Sequence, residues 1–209
     1  MIELSGFVKD IEFSHEVKGK LYYNGMVGVE RFSNVIDKVP IVFDGSLGIE
    51  NGKFYNMKGE VCTRNKHDEN CSHLIVYVYV NSSEEVEKLP FAEFGSNNVK
   101  YDCTIVKKNK SRVTPLGKTV CDFVAAINYP NGRSAYIPCI CWGSTAKWLD
   151  TVELYSTVSI RGRFQSREYT KVLEDGTSEE RTAYEISCSS IRLVKTNGDY
   201  IKEVDFREF

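Results

Sequence analysis

Two blocks of this sequence occur twice, in the same order and at nearly the same spacing. The first block, residues 39–46, reads VPIVFDGS and matches IPCICWGS at residues 137–144. The second, residues 57–64, reads MKGEVCTR and matches IRGRFQSR at residues 160–167. The copies are offset by 98 residues in the first block and by 103 in the second. A chain of 209 residues is long enough for two domains, and the repeat predicts two similar folding units.

Short runs of alternating, β-branched and aromatic residues recur along the chain, and helical periodicity is scarce. The clearest runs are residues 41–43, 74–80, 121–127, 136–142, 158–164 and 184–194. Turn-forming pairs separate several of these runs: Asn51-Gly52, Asn131-Gly132, Asp175-Gly176 and Asn197-Gly198. Many short strands at such spacing predict an all-β barrel or sandwich. The pair at 175–176 predicts a hairpin, and Ser144–Leu154 is predicted as a helix with Ser144 as its N-cap.

The strand pattern and the charge both change near the middle of the chain. Residues 81–97 are polar and acidic, and we interpret them as a linker between domains at 1–80 and 98–195, with a tail at 196–209. Residues 1–95 carry 10 Lys and Arg against 15 Asp and Glu, whereas residues 96–198 carry 15 against 10. The second domain is therefore the candidate for binding nucleic acid, although the whole chain has a net charge of −2.

The cysteines and the N-terminus predict the compartment. Seven cysteines cannot all pair within one chain, and the N-terminal residues MIELSGFVKD have no signal-peptide core. No apolar stretch approaches the roughly 20 residues that a membrane-spanning helix needs. We therefore expect a cytoplasmic protein with reduced thiols, neither secreted nor embedded in a membrane.

No group of residues has a spacing typical of catalysis. All three histidines lie within the first 73 residues, so the second domain has no histidine to act as a general base. Cys62, His67, Cys71 and His73 are zinc-ligand residue types, but their spacing lacks the usual close pair. We predict that the protein is not an enzyme and has no catalytic residue, no cofactor and no metal site.

The run 136–142 has no polar face. Side chains alternate between the two faces of a strand, so Ile137, Cys139 and Cys141 would share one face, which suits a barrel core. The opposite face would carry four side chains that are also apolar or aromatic: Tyr136, Pro138, Ile140 and Trp142. This outward face is expected either to be covered by another chain or to act as a stacking platform.

Residues 98–195 carry a series of motifs in a recognisable order. They are RVTPLGKTV at 112–120, FVAAIN at 123–128, YIPCICWG at 136–143, AKWL at 146–149, VSIRGR at 158–163, QSREY at 165–169 and YEI at 184–186. In this order they resemble the bacterial and phage single-stranded DNA-binding proteins of the SSB family. The first domain resembles that family weakly, mostly through the repeat. The resemblance implies two tandem OB-folds, each a five-stranded Greek-key barrel, with a short helix in the second.

The resemblance also implies a function, the sequence-independent binding and protection of single-stranded DNA in replication, recombination or repair. In the family, aromatic residues at the positions of Tyr136, Trp142 and Tyr169 stack on bases, and Tyr129 lies near such a position. Stacking is tolerant of sequence, and nearby cations contact phosphates. The candidate cations are Lys107, Lys108, Lys110, Arg112, Arg133, Arg161, Arg163 and Arg167.

Several of these assignments have alternatives. Tyr136 and Trp142 would also suit packing between subunits, Tyr129 would suit a solvated loop, and the lysines at 107–110 would suit a solvated hairpin tip. Trp148 is assigned to the core, since it falls on the predicted helix. The alternative function is that of an OB-fold accessory or primosome-type protein whose barrel face binds another protein.

The first domain lacks aromatic residues at the stacking positions. In the repeat, three of its residues replace those of the second domain: Lys38 for Tyr136, Asp44 for Trp142 and Lys66 for Tyr169. The core-facing Val39, Ile41 and Phe43 are kept. We predict that this domain keeps the fold and has lost much of the DNA-binding face. The alternative is a different strand path that uses Tyr22, Tyr23 and Phe32.

The resemblance also implies partners. Family members often end in an acidic tip with a terminal phenylalanine, so Phe206, Glu208 and Phe209 are candidates for docking replication or repair proteins. The alternative is a tail that packs on the barrel. Because the family commonly assembles four OB-folds, two per chain imply a homodimer, associated with the nucleoid when DNA is bound.

Overall fold

The computed structural model describes residues 1–31, 33–68, 71–87, 97–130, 132–172 and 176–196, without the side chains at 67, 68, 71 and 72. Its strands are β1 (Ile2–Val17), β2 (Lys20–Glu30), β3 (Ile36–Asp44), β4 (Phe54–Asp68), β5 (Cys71–Val86), β6 (Asn97–Lys108), β7 (Arg112–Val113), β8 (Thr119–Asn128), β9 (Ser134–Trp142), β10 (Thr157–Val172) and β11 (Ser178–Lys195). A 3-10 turn (Gly45–Leu47) follows β3, and the helix α1 (Gly143–Leu149) follows β9. Over this described part of the chain, no helix is both long and apolar enough to cross a membrane.

The strands pair into closed rings. In the first half the pairing runs β1–β2–β3–β5–β4 and back to β1, with β3 and β5 parallel and the other pairs antiparallel. In the second half β6, β8, β9, β11 and β10 pair in the same cyclic order, with β9 and β11 parallel. The apolar faces of the strands point into the rings, where Val39, Ile41 and Phe43 are buried. The prediction of an all-β barrel is confirmed.

The repeat in the sequence coincides with a repeat of strands. Strand β9 occupies the positions of β3 at the first offset, and β10 begins where β4 would at the second offset. Each copy also has a register shift that ends on a glycine, at Gly59 and at Gly162. A Cβ atom on Gly59 would lie 2.3 Å from the Tyr79 carbonyl oxygen, and one on Gly162 would lie 2.1 Å from that of Ser187. Both bulges therefore require a residue without a side chain.

We expect Gly162→Ala to lower the free energy of unfolding by about 1–3 kcal/mol, because the new methyl group clashes with backbone. Gly25→Ala is the matched control: its Cβ would meet Ile11 and Ile41 at 3.4 Å, an ordinary contact. That variant should be neutral or slightly stabilising, since alanine restricts the unfolded chain. Urea denaturation of both variants checks this, and equal losses would contradict the bulge argument.

The two halves are joined through several strands. Strands β1 and β6 pair antiparallel, with Ile2 opposite Val99 and Leu4 opposite Asn97, so one sheet of eleven strands runs through the described residues. The Tyr136 N–H of β9 also donates to Thr63 Oγ1 of β4 at 3.2 Å. Contacts with the first half therefore help to position β6 and β9 of the second half.

The linker and helix boundaries differ from the predicted ones. Strand β5 continues to Val86 instead of ending at residue 80, because residues 82–86 keep pairing with β4. Residues 88–96 lie outside the described part. Helix α1 ends at Leu149, and its N-cap is Trp142, since β9 leads directly into the helix through Gly143 at φ 61°. The hairpin predicted at 175–176 is confirmed by the pairing of Val172 with Ser178.

Candidate nucleic-acid interface

The outward side of β9 exposes two aromatic rings. Tyr136 and Trp142 are 53% and 38% exposed, whereas Ile137, Cys139 and Cys141 are buried in the barrel as predicted. Rings left this accessible at both ends of one strand suit stacking on flat ligands.

The middle of that side is not open. Ile140 was predicted to face outward, but it is only 5% exposed, beside its register partners Asp122 of β8 and Ser187 of β11. The two aromatic residues are thus separate sites at the ends of β9, not parts of one continuous apolar surface.

Trp142 borders a shallow depression of about 270 Å³ that also contains a cation. Its other lining residues are Gly143, Arg163, Ser187, Cys188 and Ser189. A stacking ring beside a guanidinium group is the combination that single-stranded nucleic acids need, because the ring takes the base and the cation offsets phosphate charge.

Arg163 is also part of the junction between the halves. Its Nε lies 3.9 Å from the carboxylate of Asp37, a residue of β3 that is fully buried. The same carboxylate accepts hydrogen bonds from Arg31 Nε at 2.7 Å and from the Ser166 N–H at 3.3 Å. Burial lowers the pKa of the Arg163 guanidinium. The structure thus places Arg163 between the depression and a buried acid, a position that the sequence did not indicate.

Tyr169 lies on the arm formed by β10 and β11 and is 37% exposed. The guanidinium carbon of Arg167 lies 5.7 Å from the centre of its ring, a cation–π arrangement. The Nε of Arg167 is also 3.6 Å from the Glu185 carboxylate, whose side chain is largely buried. Aromatic and cationic groups therefore meet on this arm as they do beside Trp142.

Tyr129 is neither an exposed stacking residue nor a residue of a solvated loop. Its hydroxyl donates to the carbonyl oxygen of Val61 in the first half, and its ring is partly buried against the core. Burial also raises the pKa of its phenol. Because its hydroxyl and part of its ring are used in the junction, Tyr129 is a structural residue and not an exposed stacking ring.

The predicted lysines separate into two kinds. Lys107 and Lys110 are exposed, but the Lys108 ammonium turns inward to the end of α1. It donates to the carbonyl oxygens of Leu149 at 2.7 Å and Asp150 at 3.0 Å, and to that of Val152. Three carbonyls use all three of its N–H donors, so Lys108 caps the helix and is not available to a phosphate.

The remaining arginines are at the surface. Arg133 and Arg161 are exposed, and Arg112 forms an ion pair with Asp122 at 2.6 Å. An exposed pair of this kind is worth little in stability and exchanges readily. All three residues therefore stay accessible to a phosphate group.

We expect Lys108→Met to lower the free energy of unfolding by about 1.5–3 kcal/mol, because charged hydrogen bonds to the helix end are lost. The binding of single-stranded DNA should not change. Lys107→Met, at the exposed neighbouring position, is the control and should change stability by less than about 0.5 kcal/mol. Weaker DNA binding by Lys108→Met at unchanged stability would show instead that this lysine contacts phosphate.

The first half carries no ring at the two equivalent positions of β3. Lys38 Nζ pairs with Glu168 of the second half at 3.1 Å, and Asp44 accepts from the Ser46 N–H at 2.9 Å. On the alternative path, Tyr22 and Tyr23 of β2 lie opposite Asp44 and Phe43 of β3, and Tyr23 stacks on Phe43 at 5.8 Å. Phe32, the third residue of that path, lies outside the described residues.

Sequence reasoning missed two aromatic residues of the first half. Tyr77 and Tyr79 alternate on β5 with the buried Val76, Val78 and Val80, so both rings face away from the barrel interior. The run LIVYVYV at residues 74–80 contains the signal, because tyrosine recurs there at every second position.

Two predictions fall partly or wholly outside the described residues. The side chains of His67 and Cys71 are not described, and elsewhere in the described part no group of three or more His, Cys, Asp or Glu residues is placed to hold a metal. The proposed docking tail, with Phe206, Glu208 and Phe209, lies beyond residue 196 and is not described.

The comparisons with known proteins agree with this geometry at the level of the fold. No protein-family model matches the chain, and no curated protein matches it. The crystal structure of the wild-type single-stranded DNA-binding protein from Thermus aquaticus matches with a TM-score of 0.71 at 15% identity, over 97% of this chain and 95% of that one. A deletion mutant of the same protein matches with a TM-score of 0.67, also at 15% identity, over 97% and 96%. The N-terminal domain of PriB from Thermoanaerobacter tencongensis matches at 28% identity over 41% of this chain and 94% of that one, with a TM-score of 0.35. The chain has the fold of an SSB-like OB-fold protein.

Proposed function

We propose that this chain is a tandem OB-fold protein that binds single-stranded DNA without sequence preference. The observation that carries the proposal is the pair of exposed aromatic side chains on β9, Tyr136 and Trp142, with Arg163 lining the depression that Trp142 borders. Rings open to solvent next to cations suit a strand of stacked bases better than a compact ligand. The likeness in fold to a single-stranded DNA-binding protein supports the same reading.

The proposed division of the chain follows the strand rings. The first unit spans β1–β5 and extends the predicted domain of residues 1–80 to Val86, and the second corresponds to residues 98–195. Two OB-folds in tandem account for the two closed rings of strands and for the repeated blocks of sequence.

The proposed mechanism needs no chemical step. Bases stack on Tyr136, Trp142 and Tyr169, each contributing about 1–3 kcal/mol. Exposed cations around them contact phosphates and release counterions: Lys107, Lys110, Arg112, Arg133, Arg161 and Arg167. The partly buried Arg163 contributes from the depression beside Trp142. Coated bases are then shielded from nucleases and from pairing, which is the protection that replication and repair require.

The proposed assembly is a homodimer that presents four OB-folds. Two closed rings of strands per chain and the closed symmetry typical of homo-oligomers support this assembly. Sedimentation at micromolar concentration should show a species of twice 23.8 kDa. A single species at the mass of one chain would reject the dimer without affecting the DNA-binding proposal.

The DNA-binding proposal is tested with the full chain and labelled oligo-dT. Fluorescence anisotropy should show binding that weakens linearly on a logarithmic salt scale, as counterion release requires. A duplex of the same length should bind far more weakly, because its bases are not free to stack. Equal affinity for both, or no binding to oligo-dT at low salt, would contradict the proposal.

A further inference from the structure

The junction between the two halves contains an open groove of about 700 Å³. The first half supplies one wall through Tyr77 and Tyr79 of β5, together with Cys62 and Thr63 of β4. A groove of this volume is within the range of small-ligand sites, roughly 300–1,000 Å³.

The other wall comes from the second half. Its lining residues there are Tyr129, Pro130, Arg133, Ser134 and Ala135. Two contacts hold the walls together: Tyr129 donates its hydroxyl to Val61, and the Tyr136 N–H donates to Thr63 Oγ1 at 3.2 Å. The groove is therefore a built feature of the junction, and the separate halves would not possess it.

The chemistry of the groove matches that of the stacking face. The guanidinium of Arg64 lies 6.0 Å from the centre of the Tyr77 ring, so one ring and one cation meet in the first half as well. Glu60 also lines the groove, but its carboxylate accepts the Tyr101 hydroxyl at 2.6 Å and pairs with the N-terminal ammonium of Met1 at 3.3 Å, which offsets its charge. Tyrosines on one wall, Arg133 on the other and Arg64 beside the Tyr77 ring, outside the lining, favour bases flanked by phosphates.

The position of the groove connects it to the proposed DNA-binding face. Tyr136 exposes its ring on β9, and the backbone of the same residue is bonded to Thr63 in the groove wall. The groove therefore lies on the path of a strand that stacks a base on Tyr136 and continues toward the first half.

We propose that the groove binds nucleotides of the same single strand, with bases stacked on Tyr77 and Tyr79 and phosphates near Arg64 and Arg133. The inference rests on the proposed function and extends it. The first unit then contributes to binding through β5, although its β3 has no ring at the positions of Lys38 and Asp44.

The test compares two lengths of oligo-dT on the full chain. A strand of about 30 nucleotides covers both units, since one OB-fold occupies about 4–16 nucleotides, and a strand of about 6 nucleotides covers the second unit alone. Tyr77→Leu together with Tyr79→Leu keeps apolar side chains but removes the rings. The affinity for the long strand should fall at least about tenfold, given the energy of stacking one base, and that for the short strand should not change.

Tyr155→Leu is the matched control, because this exposed tyrosine follows α1 and does not line the groove. An unchanged affinity of the double variant for the long strand would overturn the groove as a nucleotide site, as would equal losses for both strands. If the wild-type chain binds neither strand, the proposed function fails and the groove fails with it.

A second measurement on the wild-type chain applies even if the double variant does not fold. Photocrosslinking to a long strand that contains 5-bromodeoxyuridine should give adducts on Tyr77 or Tyr79, because stacked rings are close enough to react. Adducts confined to peptides of residues 98–195 would overturn the proposal while supporting DNA binding by the second unit.

Discussion

Replacing both Trp142 and Tyr136 with alanine is expected to weaken the binding of oligo-dT by about 2–6 kcal/mol. Each ring stacks on one base in the proposed mode, and a stacked base contributes about 1–3 kcal/mol. The fold should survive, because both side chains face outward from β9 and are among the exposed large residues of the chain. Titration of labelled oligo-dT into the wild type and the double variant measures the difference.

The control for this experiment is Phe7→Ala. Phe7 lies on β1 of the first half and is 39% exposed, almost the same as Trp142, but it belongs to neither proposed binding surface. Its loss should leave the affinity unchanged. If the Trp142 and Tyr136 variant also binds like the wild type, the β9 face is not the binding site.

Asp37→Ala is expected to lower the free energy of unfolding by about 3–5 kcal/mol. The carboxylate of Asp37 is fully buried and forms ion pairs with Arg31 and Arg163. Removing one partner from a buried ion pair leaves the other charges without compensation, and this penalty is far larger than the value of the pair itself. Chemical denaturation followed by circular dichroism gives the change.

The neighbouring residue supplies the comparison. Lys38→Ala removes an ion pair with Glu168 in which both side chains are largely exposed, so it should lower stability by no more than about 1 kcal/mol. If Asp37→Ala lowers the free energy of unfolding by no more than Lys38→Ala does, the buried network does not hold β3 against β10. Because Arg163 also borders the Trp142 depression, the DNA affinity of Asp37→Ala should be measured in the same preparation.

The fold was largely predictable because its signals are local. The repeated blocks place β9 on the positions of β3, and alternation separates buried from exposed residues such as Cys139 and Tyr136, although it fails at the buried Ile140. The rings on β9 could be predicted for the same reason, since alternation and a family resemblance both act on a single strand.

The roles of the aromatic and cationic residues were less predictable, because they depend on contacts between residues distant in sequence. Lys108 caps a helix that ends 41 residues later, and Tyr129 reaches Val61 in the other half, 68 residues away. Arg163 meets Asp37 across the same junction. A sequence shows that such residues are charged or aromatic, but the packing of one half on the other determines which of them stay free for a ligand.

The account depends most directly on whether a DNA strand stacks on Trp142. The chain has two tryptophans, and Trp148 is partly buried against the core on α1, so Trp148→Phe leaves Trp142 as the only indole fluorophore. Titrating this variant with oligo-dT should quench the tryptophan emission in parallel with the anisotropy of the labelled strand, because a stacked base contacts the indole ring. Binding detected by anisotropy with no change in Trp142 emission would contradict the account.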